Sequence, residues 1–141
     1  MERYSYFSNT QIKNEELRAA FNLCLKKAVE LNEPLTILVN NVNLGSSFLT
    51  AFLSDKEKNK LKSYKTINKD GINIQLKSPV GLKQYNNYGV VLAIHSSPSA
   101  IEKIDNSELT KFVVVIAELN DYTEHLTAWE MEKGVKKLMK A

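Results

Sequence analysis

The residues best suited to chemistry in this chain stand directly after short hydrophobic runs. His95 follows the run 90–94, and Glu118 follows the run 112–117. An imidazole and a carboxylate can work as a general base and acid when they lie close together. Because the carboxyl ends of neighbouring parallel strands meet at one edge of a sheet, we predict that His95 and Glu118 form the acid–base pair if the protein is a catalyst.

A hydroxyl nucleophile beside His95 is not supported by the pattern. Ser96 and Ser97 follow His95 directly, but adjacent residues on a strand point to opposite faces, so His95 and Ser96 would not pair. The Gly-x-Ser-x-Gly elbow of serine hydrolases is absent. The alternative for His95 is a structural role, with its ring hydrogen-bonded at the end of a strand.

A polar segment after another hydrophobic run could bind an anion. The run 35–39 leads into Asn40-Asn41-Val42-Asn43-Leu44-Gly45-Ser46-Ser47 and then into a helix-like segment. Helix N-termini present unpaired N–H groups to anions, and serine hydroxyls add donors. The glycine pattern is neither a P-loop nor a dinucleotide-binding fingerprint, so a serine-capped turn is the alternative. The predicted ligand-binding residues after the three runs are Asn41, Asn43, Ser46, Ser47, Ser97 and Asn120.

Metal and cofactor sites are not predicted. The chain has two histidines, His95 and His125, and one cysteine, Cys24, which is too few for a recognised zinc pattern. Cys24 stands on the apolar stripe of the first predicted helix, so we interpret it as a core residue. A single cysteine cannot form an internal disulfide and fits a reducing compartment, so we expect a cytoplasmic protein.

The charge pattern indicates a solvated surface. The net charge is +3, and 17 of the 19 basic residues are lysines, with only Arg3 and Arg18 as arginines. Because arginine is the preferred residue for bidentate contacts to phosphate and guanine, this composition argues against nucleic acid as the main partner. No apolar run approaches the roughly 18 residues that would cross a bilayer. Residues 1–5 are not followed by an apolar segment, so we expect no secretory signal.

The elements that must position these residues alternate between strands and helices. The runs 35–39, 90–94 and 112–117 are typical of parallel strands buried on both faces. The length of 141 residues suits one domain. We predict an α/β fold over residues 1–141, a three-layer α/β/α domain with a mixed, mainly parallel central sheet and a β-hairpin at one edge.

Local signals predict where several elements begin and end. Residues 4–7 read as a short edge strand, and Ser8 with Gln11 has the spacing of a capping box for a helix that runs to about Asn32. Ser54 with Glu57 repeats that spacing, and Ser97-Pro98 is typical of a helix start. An Asp-Gly turn between residues 64–68 and 72–77 predicts the hairpin.

The last helix is predicted to start at Asp121 and to run to about Lys140. It carries two apolar faces. The face predicted to join the core comprises Ala128, Met131, Val135 and Leu138. The opposite face would then need another cover and is the predicted interface, comprising Tyr122, Leu126 and Trp129.

Two functions of different classes follow from these patterns. The first is a small-ligand-binding domain whose anionic or nucleotide-like ligand binds at the carboxyl ends of the central strands, with catalysis left open. The second is a non-enzymatic interaction module, most simply a homodimer formed through the last helix or through the hairpin edge. Nucleic-acid binding through Lys56, Lys58, Lys60, Lys62 and the C-terminal lysines is a weaker third alternative.

Overall fold

The computed structural model describes residues 1–8, 10–40, 46–63, 65–83, 86–118 and 123–138. The strands are β1 (Glu2–Ser8), β2 (Leu35–Leu38), β3 (Ile67–Lys69), β4 (Ile72–Lys77), β5 (Val90–Ile94), β6 (Phe112–Glu118) and β7 (Lys136–Lys137). The helices are α1 (Asn14–Leu31), α2 (Ser46–Leu49), α3 (Asp55–Lys62), α4 (Pro98–Asp105) and α5 (Thr123–Lys133), with a 3-10 turn at Pro79–Gly81.

The strands form one sheet in the order β3-β4-β2-β5-β6-β1-β7. Only the β3–β4 pair is antiparallel among the described strands, and the other neighbours run parallel. Every residue of β2 and β5 is buried, as expected for central strands covered on both faces. The predicted mixed, mainly parallel sheet with a hairpin at one edge is therefore confirmed.

Helices cover both faces of this sheet and give the three predicted layers. Alternate side chains of the strands, such as Ile37, Leu92 and Val114, pack with α1 and the segments around α2 and α3. The intervening side chains, such as Val91 and Val113, pack with α4 and α5. The α/β fold class predicted from the hydrophobic runs is confirmed.

The first helix begins later than its predicted capping box. The structure starts α1 at Asn14, where the backbone N–H of Lys13 donates to Glu16 Oε1 at 2.9 Å. Glu16 also accepts a hydrogen bond from the hydroxyl of Tyr6. The assignment of the start to Ser8 and Gln11 is wrong because β1 extends to Ser8 and the chain needs several residues to turn onto the sheet.

The edge positions of the sheet differ in part from the prediction. The strand predicted at 4–7 is part of β1. It is not an edge strand, because β1 lies between β6 and β7 and pairs with β6 along its whole length. The hairpin lies at the opposite edge, and its residues Ile72, Ile74 and Leu76 are buried as the alternation predicts. Tyr88, in the loop before β5, is buried, and its hydroxyl accepts from the N–H of Lys83 at 2.5 Å.

The predicted core face of the last helix is wrong within α5, whereas Val135 and Leu138, which follow α5, are half-buried and pack against the core as predicted. Leu126 and Trp129 are 1% and 5% exposed and pack against α4 and the sheet, whereas Met131 is 81% exposed and Ala128 is also exposed. The chain itself therefore covers the face predicted as an interface. Tyr122 and the predicted cap Asp121 lie outside the described residues.

A hydrogen-bonded network explains why Trp129 faces inward. Its indole Nε1 donates to Asp105 Oδ2 at 2.7 Å, and Arg3 Nε donates to the other carboxylate oxygen at 2.8 Å. A buried indole N–H needs such an acceptor. The helix also ends at Lys133 rather than near Lys140, because Gly134 takes a left-handed φ of +60° and the chain turns into β7.

Candidate functional site

The strand order creates a switch point between the parallel strands β2 and β5, where the connections that follow them lead to opposite sides of the sheet. These strands are neighbours, but the chain leaves β2 through α2 and α3 to reach β4 on one side, and leaves β5 through α4 to reach β6 on the other. The connecting helices therefore lie on opposite faces of the sheet. In open parallel sheets, a crevice forms at the carboxyl ends of the strands at such a switch, and ligands bind there.

Asn40 connects the two sides of this switch point. It follows β2, and its Nδ2 donates to the carbonyl oxygen of His95 at 2.5 Å. Its Oδ1 accepts from the backbone N–H of Ser97 at 2.9 Å. One amide side chain thus satisfies a donor and an acceptor of the loop that follows β5, which holds that loop against the end of β2.

His95 has a backbone conformation that residues other than glycine seldom adopt. Its φ is +49°, in the left-handed region, and its N–H donates to Ile116 O at 2.8 Å as the last link between β5 and β6. Its ring lies 4.9 Å from the ring of Phe48, at an interplanar angle of 41°. Left-handed backbone at a non-glycine residue costs free energy and concentrates at functional sites.

Ser96 has a buried hydroxyl that the protein does not satisfy. The residue is 1% exposed, and its Oγ has no hydrogen-bond partner within the described part of the chain. Leaving a buried polar group unpaired costs roughly 1–3 kcal/mol. Native structures contain few such groups, and each one calls for a physical reason.

Ser97 caps α4 at the same switch point. Its Oγ accepts from the backbone N–H of Ala100 at 3.3 Å, and Pro98 occupies the first helical position. The start of this helix was predicted correctly from Ser97-Pro98. The capping bond engages the hydroxyl that we also predicted as a ligand contact, so the positive end of the helix, rather than that hydroxyl alone, faces the switch point.

Glu118 ends β6 and is engaged with the start of α1. Its Oε1 accepts from the backbone N–H of Ile12 at 3.2 Å, and in the sheet register it stands opposite Ser8. Ile94 of β5 pairs with Ile116, so Glu118 lies two residues beyond the last paired position of β5. The acid–base pairing of His95 with Glu118 stays a prediction.

The remaining predicted site residues lie mostly outside the described chain. These residues are Asn41, Asn43 and Asn120. The structure begins α2 at Ser46, close to the predicted start, while the side chains of Ser46 and Ser47 are outside the description. Asn40 and Ser96 are not among the predicted site residues, because only the strand order shows that β2 and β5 are neighbours whose connections diverge.

Groups that would hold a metal or cross a membrane are not found in the described ranges. No cluster of three or more His, Cys, Asp or Glu residues is arranged to hold a metal ion there. No helix among those residues is long and apolar enough to span a membrane. Cys24 is buried, and burial raises the pKa of its thiol, which agrees with the core role predicted for it.

Comparisons with known proteins give a likeness in fold. No family model matches the chain, and no curated protein matches it. Among solved structures, the chain is similar to the large terminase of a thermophilic bacteriophage, with a TM-score of 0.61 and 12% sequence identity. The match covers 97% of this chain and 39% of the terminase chain. At this identity the likeness concerns the α/β fold alone.

Proposed function

We propose that this protein binds a small anionic or nucleotide-like ligand at the switch point between β2 and β5. The observation that carries the proposal is the buried Ser96 Oγ, which has no partner within the described residues. A hydroxyl placed there at a stability cost is best explained by a ligand that accepts or donates its hydrogen bond. The terminase likeness supports the α/β fold that carries this site and no more.

Three other features favour a ligand at the same place. The left-handed backbone of His95 concentrates strain at the carboxyl end of β5. The Asn40 bridge fixes the loop that carries Ser96 and Ser97, so the site is preorganised. The N-terminus of α4 contributes the positive end of a helix dipole, which favours a negatively charged group.

Catalysis, if it occurs here, would fall to His95 and Glu118. One carboxylate oxygen of Glu118 accepts from the N–H of Ile12, and the other has no partner among the described residues, so it could accept from a substrate. Ser46, Ser47, Asn41, Asn43 and Asn120 remain proposed ligand contacts. Loss of turnover but not of binding in His95→Gln would mark the protein as an enzyme.

The test compares two buried serines. Ser96→Ala removes an unpaired hydroxyl, whereas Ser107→Ala removes one that accepts from the Thr110 hydroxyl at 2.8 Å. A thermal-shift screen against nucleotides, sugar phosphates and inorganic phosphate should give a ligand that stabilises the wild type. The stabilisation is about 2.7 kcal/mol at a hundredfold excess over the Kd. Ser96→Ala should lose most of that effect and Ser107→Ala should keep it.

The alternative function, a non-enzymatic interaction module, loses the support of the interface predicted on the last helix. Leu126 and Trp129 belong to the core beside α4, so the last helix does not offer them to a partner. The outer edge of β3 remains as the proposed homodimer contact, and sedimentation at high protein concentration tests it. If no ligand of the panel stabilises the protein and it sediments as a dimer, the ligand-binding proposal fails.

A further inference from the structure

A second cleft lies away from the switch point, with a volume of about 750 Å³. It opens between α1, the segment 50–53 and the turn of the hairpin. Two of its lining residues are aromatic: Phe21, which is buried, and Phe52, which is half-buried and stacks on the Phe21 ring with a centroid distance of 4.3 Å. This volume is in the range of small-molecule sites, and most of the residues that line the cleft are polar or charged.

The guanidinium of Arg18 has a fixed orientation at this cleft and further N–H groups that can donate to a ligand. Arg18 Nε donates to the carbonyl oxygen of Ala51 at 3.0 Å, which holds the guanidinium at the cleft wall. Its terminal Nη groups have no partner within the described part of the chain. A guanidinium held in this way presents a planar pair of donors that matches a carboxylate.

The charges that line the cleft leave one anion without a counterion. Glu57 and Lys69 form an ion pair at 3.3 Å and so neutralise each other. Asp70, in the hairpin turn, is exposed and makes no ion pair among the described residues. Arg18 and Asp70 are therefore the charges that a ligand could complement.

Arg18 and Asp70 come from elements that begin at opposite ends of the sheet. Arg18 belongs to the second turn of α1, which starts at the carboxyl end of the sheet, whereas Asp70 precedes β4 at the amino end. The cleft follows α1 from Arg18 to Leu25, seven residues later. At 1.5 Å per residue this is about 10 Å of helix, and an extended chain of three residues spans about 10 Å.

We propose that this cleft binds a zwitterionic ligand of the length of a short peptide, about three residues. Its carboxylate pairs with the Nη groups of Arg18 and its ammonium pairs with Asp70. The body of the ligand lies over the half-buried Phe52. This site is separate from the switch point and does not depend on the ligand proposed there.

Binding of trialanine, measured by calorimetry on the full chain, tests the proposal. Acetylated trialanine lacks the ammonium, and trialanine amide lacks the carboxylate, so each should bind at least about tenfold more weakly. Arg18→Gln and Asp70→Asn should weaken trialanine to the same degree. Asparagine tolerates the left-handed φ of +53° at position 70, so Asp70→Asn should fold normally.

Two controls keep the outcome interpretable. Lys56→Gln removes an exposed charge outside the cleft and should leave the affinity for trialanine unchanged. Ser96→Ala should also leave it unchanged, which separates this site from the switch point. Equal binding of the blocked peptides, unchanged binding in Arg18→Gln and Asp70→Asn, or no binding at millimolar trialanine would overturn the proposal.

Discussion

Asn40 donates a hydrogen bond of 2.5 Å to the carbonyl oxygen of His95 across the switch point between β2 and β5. The same side chain accepts from the N–H of Ser97 at 2.9 Å. Two loops that are 55 residues apart in the chain are thereby held together by one amide. The stability of the switch point and the placement of Ser96 both depend on this contact.

Replacing Asn40 should loosen the switch point. Asn40→Ala removes two hydrogen bonds made by an exposed side chain. At about 0.5–1.5 kcal/mol net for each bond, we expect the free energy of unfolding to fall by about 1–3 kcal/mol. Urea denaturation measures it. Asn59→Ala, an exposed change in α3, is the matched control and should stay within about 0.5 kcal/mol of the wild type. Equal effects of the two changes would contradict the bridging role.

The backbone of His95 gives a second prediction. Because its φ of +49° strains any residue with a Cβ, His95→Gly should be more stable than His95→Ala by about 1 kcal/mol. Both variants lose the ring contact with Phe48, so their difference isolates the backbone term. Chemical denaturation of the two variants measures it, and an alanine variant as stable as the glycine variant would refute it.

Gly89 should tolerate no side chain, for steric reasons. Its φ is +60°, and a Cβ there would lie 2.4 Å from the carbonyl oxygen of Pro34. Gly134 has the same φ with nothing within 4 Å of a Cβ. Gly134→Ala should therefore cost about 1–2 kcal/mol for the backbone alone, and Gly89→Ala clearly more. Thermal unfolding of both variants checks the order, which should not reverse.

Trp129 reports on its own burial, because it is the single tryptophan of the chain. Because Trp129 is only 5% exposed, iodide should quench its fluorescence weakly until the protein unfolds. Trp129→Phe retains an aromatic ring but leaves one oxygen of Asp105 unpaired, so it should lower the free energy of unfolding by about 1–3 kcal/mol. Quenching of the folded protein as efficient as that of the unfolded protein would contradict the burial.

Glu57 should make stability sensitive to acid. Burial raises the pKa of its carboxyl, but hydrogen bonds from Ser54 and the charge of Lys69 outweigh that effect and lower the pKa below 4.5. A lowered folded-state pKa contributes stability that is present above the unfolded value and is lost as pH falls through the folded one. The stability advantage of the wild type over Glu57→Gln should therefore shrink on acidification below about pH 4.5. A constant difference from neutral to acid pH would be inconsistent with this role.

The sequence by itself determined several of the local elements. The strands at 35–38, 90–94 and 112–118 follow from short apolar runs, and the helix starts at Ser54 and Ser97 follow from caps that act over three residues. The hairpin follows from Asp70-Gly71, where both residues take a positive φ. Each of these signals works because neighbouring residues along the chain decide the conformation.

Only the tertiary structure decided the order of the strands and the face of the last helix. Neighbouring strands are chosen by packing between residues far apart in the chain, so no local pattern shows that β2 lies beside β5. A helix with two apolar faces can bury either of them. The helix α5 buries Leu126 and Trp129, because the indole N–H donates a hydrogen bond to Asp105 on that side. The unpaired hydroxyl of Ser96 likewise depends on what surrounds it in space, which its neighbours in the chain do not determine.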